Sequence, residues 1–459
     1  MCGIFGAVSS SEIQHSLING LSKLEYRGYD SAGISLITSS QKIKRVRCVG
    51  KVKNLNKILN ASKSSGYCGI AHTRWATHGQ PILKNSHPHN SSKVSIVHNG
   101  IIENSEELKS FLKKRAYKFT SDTDSEVIAH LFSYFAKNAA NSIQAMKEVT
   151  KKLKGSFAIA AICERWPEQL LAACNGSPLL IGTKKGSNFI SSDIHALSDN
   201  TNTYVPLLDN EIVELSNNNY QIYNFSGKKI SRKVIKAKKQ NSEINKDGYK
   251  HFMQKEIYEQ QEIISSAIKH QIGVKGLLPN IFGPNSDKLL LKTKHIHFVA
   301  CGTSYNAALI AKYWIEEVTD IVCTAEIASE YRYRTVNVPP GTLFVAISQS
   351  GETADTIYSL KKAKNRNYSS MLSICNVPES SITRLSDLVY LTHAGPEISV
   401  ASTKAFTSQL IALLFMTMVL SRTSKSKTIE KTILKQVKQL PAIIKKTFLL
   451  EKEIKKIAK

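Results

Sequence analysis

No two cysteines in this 459-residue chain are spaced as CxxC, and its eight thiols (2, 48, 68, 163, 174, 301, 323, 375) follow no regular interval. That excludes a recognisable disulfide frame or zinc site and leaves reduced thiols as the expectation. No basic start followed by an apolar core opens the sequence, so a secretory signal is not expected and a cytoplasmic location is. The most apolar run, Leu410–Leu420, falls short of a membrane span and reads as a buried core helix. Neither GxxxxGK(S/T) nor a strand-following GxGxxG occurs, which argues against a nucleotide site. Acidic residues are few, 36 against 62 Lys and Arg, for a formal charge of +26. The excess is scattered, densest in 228–246 and after Arg422, without aromatic interleaving or a basic recognition helix. No nucleic-acid partner is therefore expected, although a positive field would steer a small anionic substrate.

What is present is a soluble globular composition, 42% hydrophobic and 21% charged with 12 prolines, arranged in two halves of different grammar. Up to about residue 215 many short β-rich runs predominate: Cys2–Ser9, Gly33–Thr38, Tyr67–His72, Val94–His98, Phe157–Ile162, Leu170–Cys174, Leu179–Gly182, Asn188–Ser192 and Glu211–Leu215. Helical periodicity appears at Glu12–Leu24, Ser105–Lys114 and Asp124–Phe135. So many strands with so few helices predict sheets packed on each other with helices outside. A polar, Lys-rich stretch then suggests a linker over 228–247, separating a domain at 1–227 from one at 248–459. In the second half, His295–Ala300 runs into CGTS and a helix, and Leu343–Ile347 into SQSGET and a helix. With Met371–Cys375 and Leu388–Leu391, this alternation predicts a parallel, doubly wound α/β sheet. Ligands of such sheets sit beyond the carboxyl ends of the strands, where both polar loops fall.

Several stretches carry chemistry. A cysteine directly behind the initiator methionine, heading the apolar run GIFGAV, is a reactive thiol at an unusual place. SQSGET delivers three hydroxyls, an amide and a glycine to a helix start. One Ser or Thr there would be an ordinary cap. Ser348, Gln349, Ser350 and Thr353 together, with Thr303 and Ser304 at the neighbouring strand end, point to a phosphate site. AHTRWATHG (71–79) sets an Arg beside a Trp, which suits a carboxylate-bearing substrate, although a surface Arg stacked on a structural Trp looks the same. Its histidines lack a carboxylate or thiolate at ligand spacing, so no metal or other cofactor is expected. VHNGIIEN (97–104) reads as a strand entering a tight Asn-Gly turn, which would set a side-chain amide beside an open backbone N–H. SDTDSEVI (121–128) reads as a helix start capped by Thr123.

The ordered set of the CGIFG terminus, LEYRGYDSAG, AHTRWATHG, HNGIIEN and TDSE resembles the glutamine amidotransferase domain of the N-terminal-nucleophile hydrolases. MQKEIYEQ (253–260), CGTSYN, EIASEYRYR, SQSGETADT and SVASTKAFT (399–407) resemble a sugar isomerase (SIS) domain. The combination resembles the glucosamine-6-phosphate synthase family, which makes that sugar from fructose 6-phosphate and glutamine. The resemblance implies an α+β sandwich domain followed by an α/β doubly wound one. It also implies that Met1 is removed and that Cys2 attacks glutamine, with Asn99 and the Gly100 N–H as oxyanion hole. Arg74 would bind the glutamine α-carboxylate and Asp124 its α-amine, with Trp75, Thr77 and His78 around the pocket. Thr303, Ser304, Ser348, Gln349, Ser350 and Thr353 would hold the sugar phosphate, with Val400 and Ser402 nearby. A homodimer through the SIS part and a water-excluding passage for ammonia are further implications. The family carries a second SIS domain, with an isomerase base, a ring-opening His and a terminal Lys, and these 459 residues show one such segment. Glutaminase activity with sugar-phosphate binding alone, or a non-enzymatic sugar-phosphate sensor, is the alternative. A phosphoribosyl amidotransferase would need a pyrophosphate loop with adjacent acids after a strand, and none is found.

Overall fold

The computed structural model describes residues 2–62, 65–76, 79–236, 245–274, 276–423 and 428–458, and divides between 240 and 241 into two compact units. Length alone would have allowed about three.

In the first unit the run behind Cys2 is apolar on both sides of the pleat, and both sides are covered. The strand Gly3–Ser9 is buried throughout and lies between Ser187–Ser191 and Cys68–Arg74, antiparallel to each. It is an inner strand of an eight-stranded sheet in the order Ile235–Lys236, Thr203–Leu207, Leu179–Lys184, Ser187–Ser191, Gly3–Ser9, Cys68–Arg74, Ser31–Ile37, Ile43–Val49. A seven-stranded sheet faces it, with Val94–Ile102, Gly155–Cys163 and Trp166–Asn175 as its long strands. Alternation along the strands divides the core accordingly. Ile4, Val8, Ile70 and Ile190 meet Val97, Ala160, Ala172 and Val213 between the sheets. Phe5, Ile34 and Ala71 point the other way, under helices Gln14–Leu24 and Val52–Ser62. Ile96, Ile159 and Ala161 lie under Glu126–Ala136 and Ser142–Lys152. The unit is the expected sheet-on-sheet sandwich flanked by helices.

The second unit has five parallel strands in the order Val322–Ile327, His295–Ala300, Thr342–Ser348, Ser370–Cys375, Leu388–Leu391. One face is covered by Thr303–Val318 and Lys404–Ser421 with parts of Phe252–Gln271 and Ile429–Phe448. The other lies under Ala328–Tyr333, Ala354–Ala363 and Ser381–Leu385. This is the doubly wound sheet, and its order reverses at His295–Ala300. Lys404–Ser421 is longer than its apolar run suggested: its 18 residues are long and apolar enough to cross a membrane, and 78% of them are buried inside the unit, as a core helix.

The structure corrects three expectations. The Asn99-Gly100 pair does not turn the chain; the strand continues through it to Ile102, with Gly100 paired to Phe157. Thr123 caps no helix: Ser125 occupies that position, and Thr123 is buried against His89. Part of the span read as linker is sheet edge, since Lys229–Ile230 pairs with Tyr220–Asn224 and Ile235–Lys236 with Thr203–Leu207. Arg232, between them, forks onto the buried Glu211 at 2.6 and 2.8 Å.

Gly20 tests the packing of the outer layer. A Cβ there would stand 2.5 Å from the Phe5 ring, which belongs to the strand behind the proposed nucleophile. Overpacking costs about 1–3 kcal/mol, more than the roughly 1 kcal/mol that Gly→Ala gains inside a helix. Gly20→Ala should therefore lower the urea midpoint of unfolding, and a raised midpoint would contradict the packing described.

Candidate active site

The register that pairs Gly3 with Thr73 sets Cys2 beside the end of Cys68–Arg74, where the chain continues into Trp75. The Trp75 N–H donates to Cys2 Sγ at 3.2 Å. Burial pushes the Cys2 thiol above its ordinary pKa, while the Trp75 N–H and the nearby Arg74 charge pull it the other way without prevailing. Burial thus favours the neutral thiol over the thiolate at Cys2.

Asn99 reaches the same point from the opposite sheet, and its Nδ2 donates to the Cys2 carbonyl at 3.0 Å. Gly100 follows at an exposed part of the strand with φ +131, and a Cβ there would fall 2.0 Å from the Ser156 carbonyl oxygen. Only glycine fits, and the chain beside Asn99 stays free of side chain. The Arg74 guanidinium is held by the carbonyls of Gly79 at 3.0 Å and Gln80 at 3.2 Å, within the electrostatic influence of Cys2, Asp30 and Asp124. Asp30 accepts the Ala76 N–H at 2.7 Å, which fixes the chain just past Trp75. The Asp124 carboxylate accepts the Ile102 N–H at 2.8 Å, at the end of the strand that carries Asn99. In the YRGY segment, Arg27 pairs with Asp193 in a fully buried contact joined by the Tyr26 hydroxyl at 2.7 Å. The guanidinium holds that carboxyl well below the usual range. Cys2, Trp75 and Asn99 thus touch directly, with Gly100, Arg74 and Asp124 around them. Thr77 and His78 lie outside the described residues.

In the second unit, Ser348 ends its strand and accepts the Gly351 N–H at 3.0 Å, with Thr353 Oγ1 at 3.3 Å. Ser350 Oγ accepts the Glu352 N–H at 3.1 Å, and the Gln349 carbonyl accepts from Asn376. Gly351 turns the loop at φ +66 so close to Ser380 that a Cβ would lie 2.0 Å from its hydroxyl. Thr303 and Ser304 open the helix after the adjacent strand, so both hydroxyl clusters sit at carboxyl ends next to the point where the strand order reverses. Val400 is exposed, and Ser402 Oγ lies 3.2 Å from Glu397. Their loop is braced by carboxylates: Glu397 accepts the N–H groups of Thr403 and Ala405 at 2.9 and 3.0 Å. Glu256, in MQKEIYEQ, accepts those of Ile398 and Ser399 at 2.6 and 3.1 Å and also the Ser399 hydroxyl. Glu259 pairs with the buried Lys404 at 2.7 Å.

Residues 70–199 match the glutamine amidotransferase domain family, and residues 289–419 the SIS domain family. The glutamine–fructose-6-phosphate aminotransferase (isomerizing) of Haemophilus influenzae is 44% identical over 460 residues, covering 100% of this chain and 75% of that protein. The protein of the same name from Francisella tularensis is 46% identical over 462 residues, again covering 100% and 75%. The chain belongs to this aminotransferase family. A solved structure, the C-terminal domain of glucosamine-fructose-6-phosphate aminotransferase from Francisella tularensis, is 48% identical, with a TM-score of 0.45 over 46% of this chain and 60% of that one. The two family matches fall one in each unit, a glutamine amidotransferase unit followed by an SIS unit.

Sequence reading missed the layer behind Asn99. His72, His87, His89 and His98 are all buried, and the rings of His72, His87 and His89 stack in series with centroids 4.1 and 4.5 Å apart. The strand pattern could have flagged His72, whose inward position follows from alternation, but His87 lies in a loop without periodicity and His89 only opens the three-residue strand His89–Ser91. Burial lowers the imidazoles of His72 and His89 to about 3 and that of His98 to about 4, and drives His87 well below 6.5. An unfolded chain takes up these protons near pH 6.5 and the folded one only near 3–4, so the stability is complete above about pH 7 and is lost as pH falls. The urea midpoint of the first unit should drop steeply between pH 6.5 and 4.5; a midpoint constant over that range would refute the dry, neutral state of this layer.

Proposed function

We propose that this chain transfers the amide nitrogen of glutamine to fructose 6-phosphate, yielding glucosamine 6-phosphate and glutamate. The observation that carries this reading is the meeting of Cys2, the Trp75 N–H and the Asn99 amide, in a chain that belongs to the aminotransferase family. With Met1 removed, the α-amine of Cys2 accepts the thiol proton, a role that its reference pKa of about 8 suits. The sulfur bonds to the glutamine Cδ, and the carbonyl electrons move to oxygen, held by Asn99 Nδ2–H and the Gly100 N–H. Collapse breaks the C–N bond, the nitrogen takes the amine's proton and leaves as ammonia, and water then hydrolyses the γ-glutamyl thioester. Among the described imidazoles none competes as base: His72 is the near one, and its Nε2 is engaged with Asn99 and the His98 carbonyl. Arg74 grips the substrate α-carboxylate and Asp124 its α-ammonium; Trp75, Thr77 and His78 complete the pocket.

In the SIS unit, backbone N–H groups and the hydroxyls of Thr303, Ser304, Ser348, Ser350 and Thr353, with the Gln349 amide, bind the sugar phosphate, and Val400 and Ser402 line the sugar. Ammonia adds at C2 of the opened sugar, water is lost, and isomerisation gives the amino aldose. A homodimer through the SIS unit, a cytoplasmic location and the absence of nucleic-acid or membrane partners belong to the same reading. Two features support the location: the helix Lys404–Ser421 is buried within its unit, and all eight cysteines are free. Nothing in the comparisons favours the glutaminase-only or sensor alternative.

Cys2→Ala should abolish release of glutamate from glutamine, and glutamate release by that variant would remove the thiol from the mechanism. Ser304→Ala should weaken fructose 6-phosphate binding about tenfold, the lower end for one hydrogen bond to a charged group. Calorimetric titration reads this, and unchanged affinity would place the phosphate elsewhere.

A further inference from the structure

His72 stands on the strand Cys68–Arg74 with its side chain buried, next to the proposed oxyanion donor. Its Nε2 lies 3.0 Å from Asn99 Oδ1 and 3.2 Å from the His98 carbonyl oxygen. The other end of the Asn99 amide faces the Cys2 carbonyl at 3.0 Å. A carbonyl only accepts, so that end must be the NH2, and the amide oxygen must be the atom turned to His72. Both neighbours of Nε2 are then acceptors, and Nε2 carries the hydrogen. Nδ1 has no hydrogen-bond partner among the described residues. The ring lies against His87 at 4.1 Å, His87 abuts His89 edge-on at 4.5 Å, and His89 Nε2 is 3.2 Å from Thr123 Oγ1.

We propose that His72 is a positioning residue for glutamine hydrolysis: as an Nε2–H donor to Asn99 Oδ1, it holds the amide with Nδ2 toward Cys2, the side on which the oxyanion would form. This rests on the reading of Asn99 as an oxyanion donor and adds to it the group that fixes which end of the amide does the work. A free primary amide flips between two nearly isosteric orientations, and the flipped one would present oxygen to the developing oxyanion. An uncharged imidazole suits the task, because it imposes orientation without placing a cation that would draw the negative charge away from the intended oxygen.

The test uses the full chain and four variants. His72→Phe keeps a flat ring and removes the donor, and His72→Gln supplies an amide N–H in its place. His72→Phe should lower kcat for glutamine hydrolysis at least tenfold with KM within about threefold, and His72→Gln should recover most of it; removing an oxyanion donor outright costs about 10²–10³. Asn99→Ala should fall at least as far, and adding His72→Phe to it should cost nothing more, because a residue acting only through Asn99 has nothing left to orient. Additive losses, equal losses in Phe and Gln, or a KM effect without a kcat effect would overturn the proposal. Unchanged kcat in Asn99→Ala would instead show that the oxyanion reading beneath it is wrong. Should His72→Phe not fold, nitrogen NMR of the unaltered protein decides: a protonated Nε2 with a bare Nδ1 supports the proposal, and the reverse tautomer overturns it.

Discussion

Cross-strand hydrogen bonds on both sides of Gly3–Ser9 hold the amidotransferase site in place. A nucleophile at the end of a chain would ordinarily fray, since terminal residues have few contacts. Here the first strand is zipped from Gly3 to Val8 against Cys68–Thr73 and from Phe5 to Ser9 against Ser187–Ser191. A slip of one residue would exchange Ile4 and Val8, which face the second sheet, with Phe5 and Ala7, which face the helices. It would also carry Cys2 away from the Trp75 N–H. The sandwich core thereby sets the location of the thiol, and Asn99 arrives from the other layer only because the two sheets pack face to face.

In the proposed reading the two units meet the same electrostatic demand, negative charge on oxygen, with similar means. In the first, negative charge would develop on a substrate oxygen, beside uncharged donors backed by buried imidazoles. In the second, the loops proposed to bind phosphate place hydroxyls at helix starts, where an anion would be met by dipoles. Among the described residues proposed for the two sites, Arg74 is the one cation. Lysines instead serve structure where they are buried, as Lys404 does against Glu259.

Much of this was legible in the sequence because it was periodic. Apolar runs marked Cys2–Ser9, Val94–His98 and four of the five parallel strands of the second unit, but not Val322–Ile327, and hydroxyl-rich loops after two of those strands marked the proposed phosphate site. Ile43–Val49 escaped because Lys44, Arg45 and Arg47 interrupt it, as befits a sheet edge. The Asn99-Gly100 pair misled for a definable reason: a dipeptide favoured in turns was selected here for close approach to Ser156, and no local rule separates the two uses. The histidine stack was hidden because His72 and His87 meet only through tertiary packing. The family motifs located the chemistry, but not which atoms hold one another in place.

The brace of Glu256 and Glu259 on the loop 397–404 has a kinetic consequence. Glu256 is separated by 143 residues from Ser399, whose N–H it accepts. Between them in sequence lie the parallel strands and most of their crossover helices. Closing so long a loop is entropically unfavourable until intervening structure shortens it. The segment bearing Val400 and Ser402 therefore depends for its shape on a contact of high sequence separation, the kind that slows folding relative to local ones.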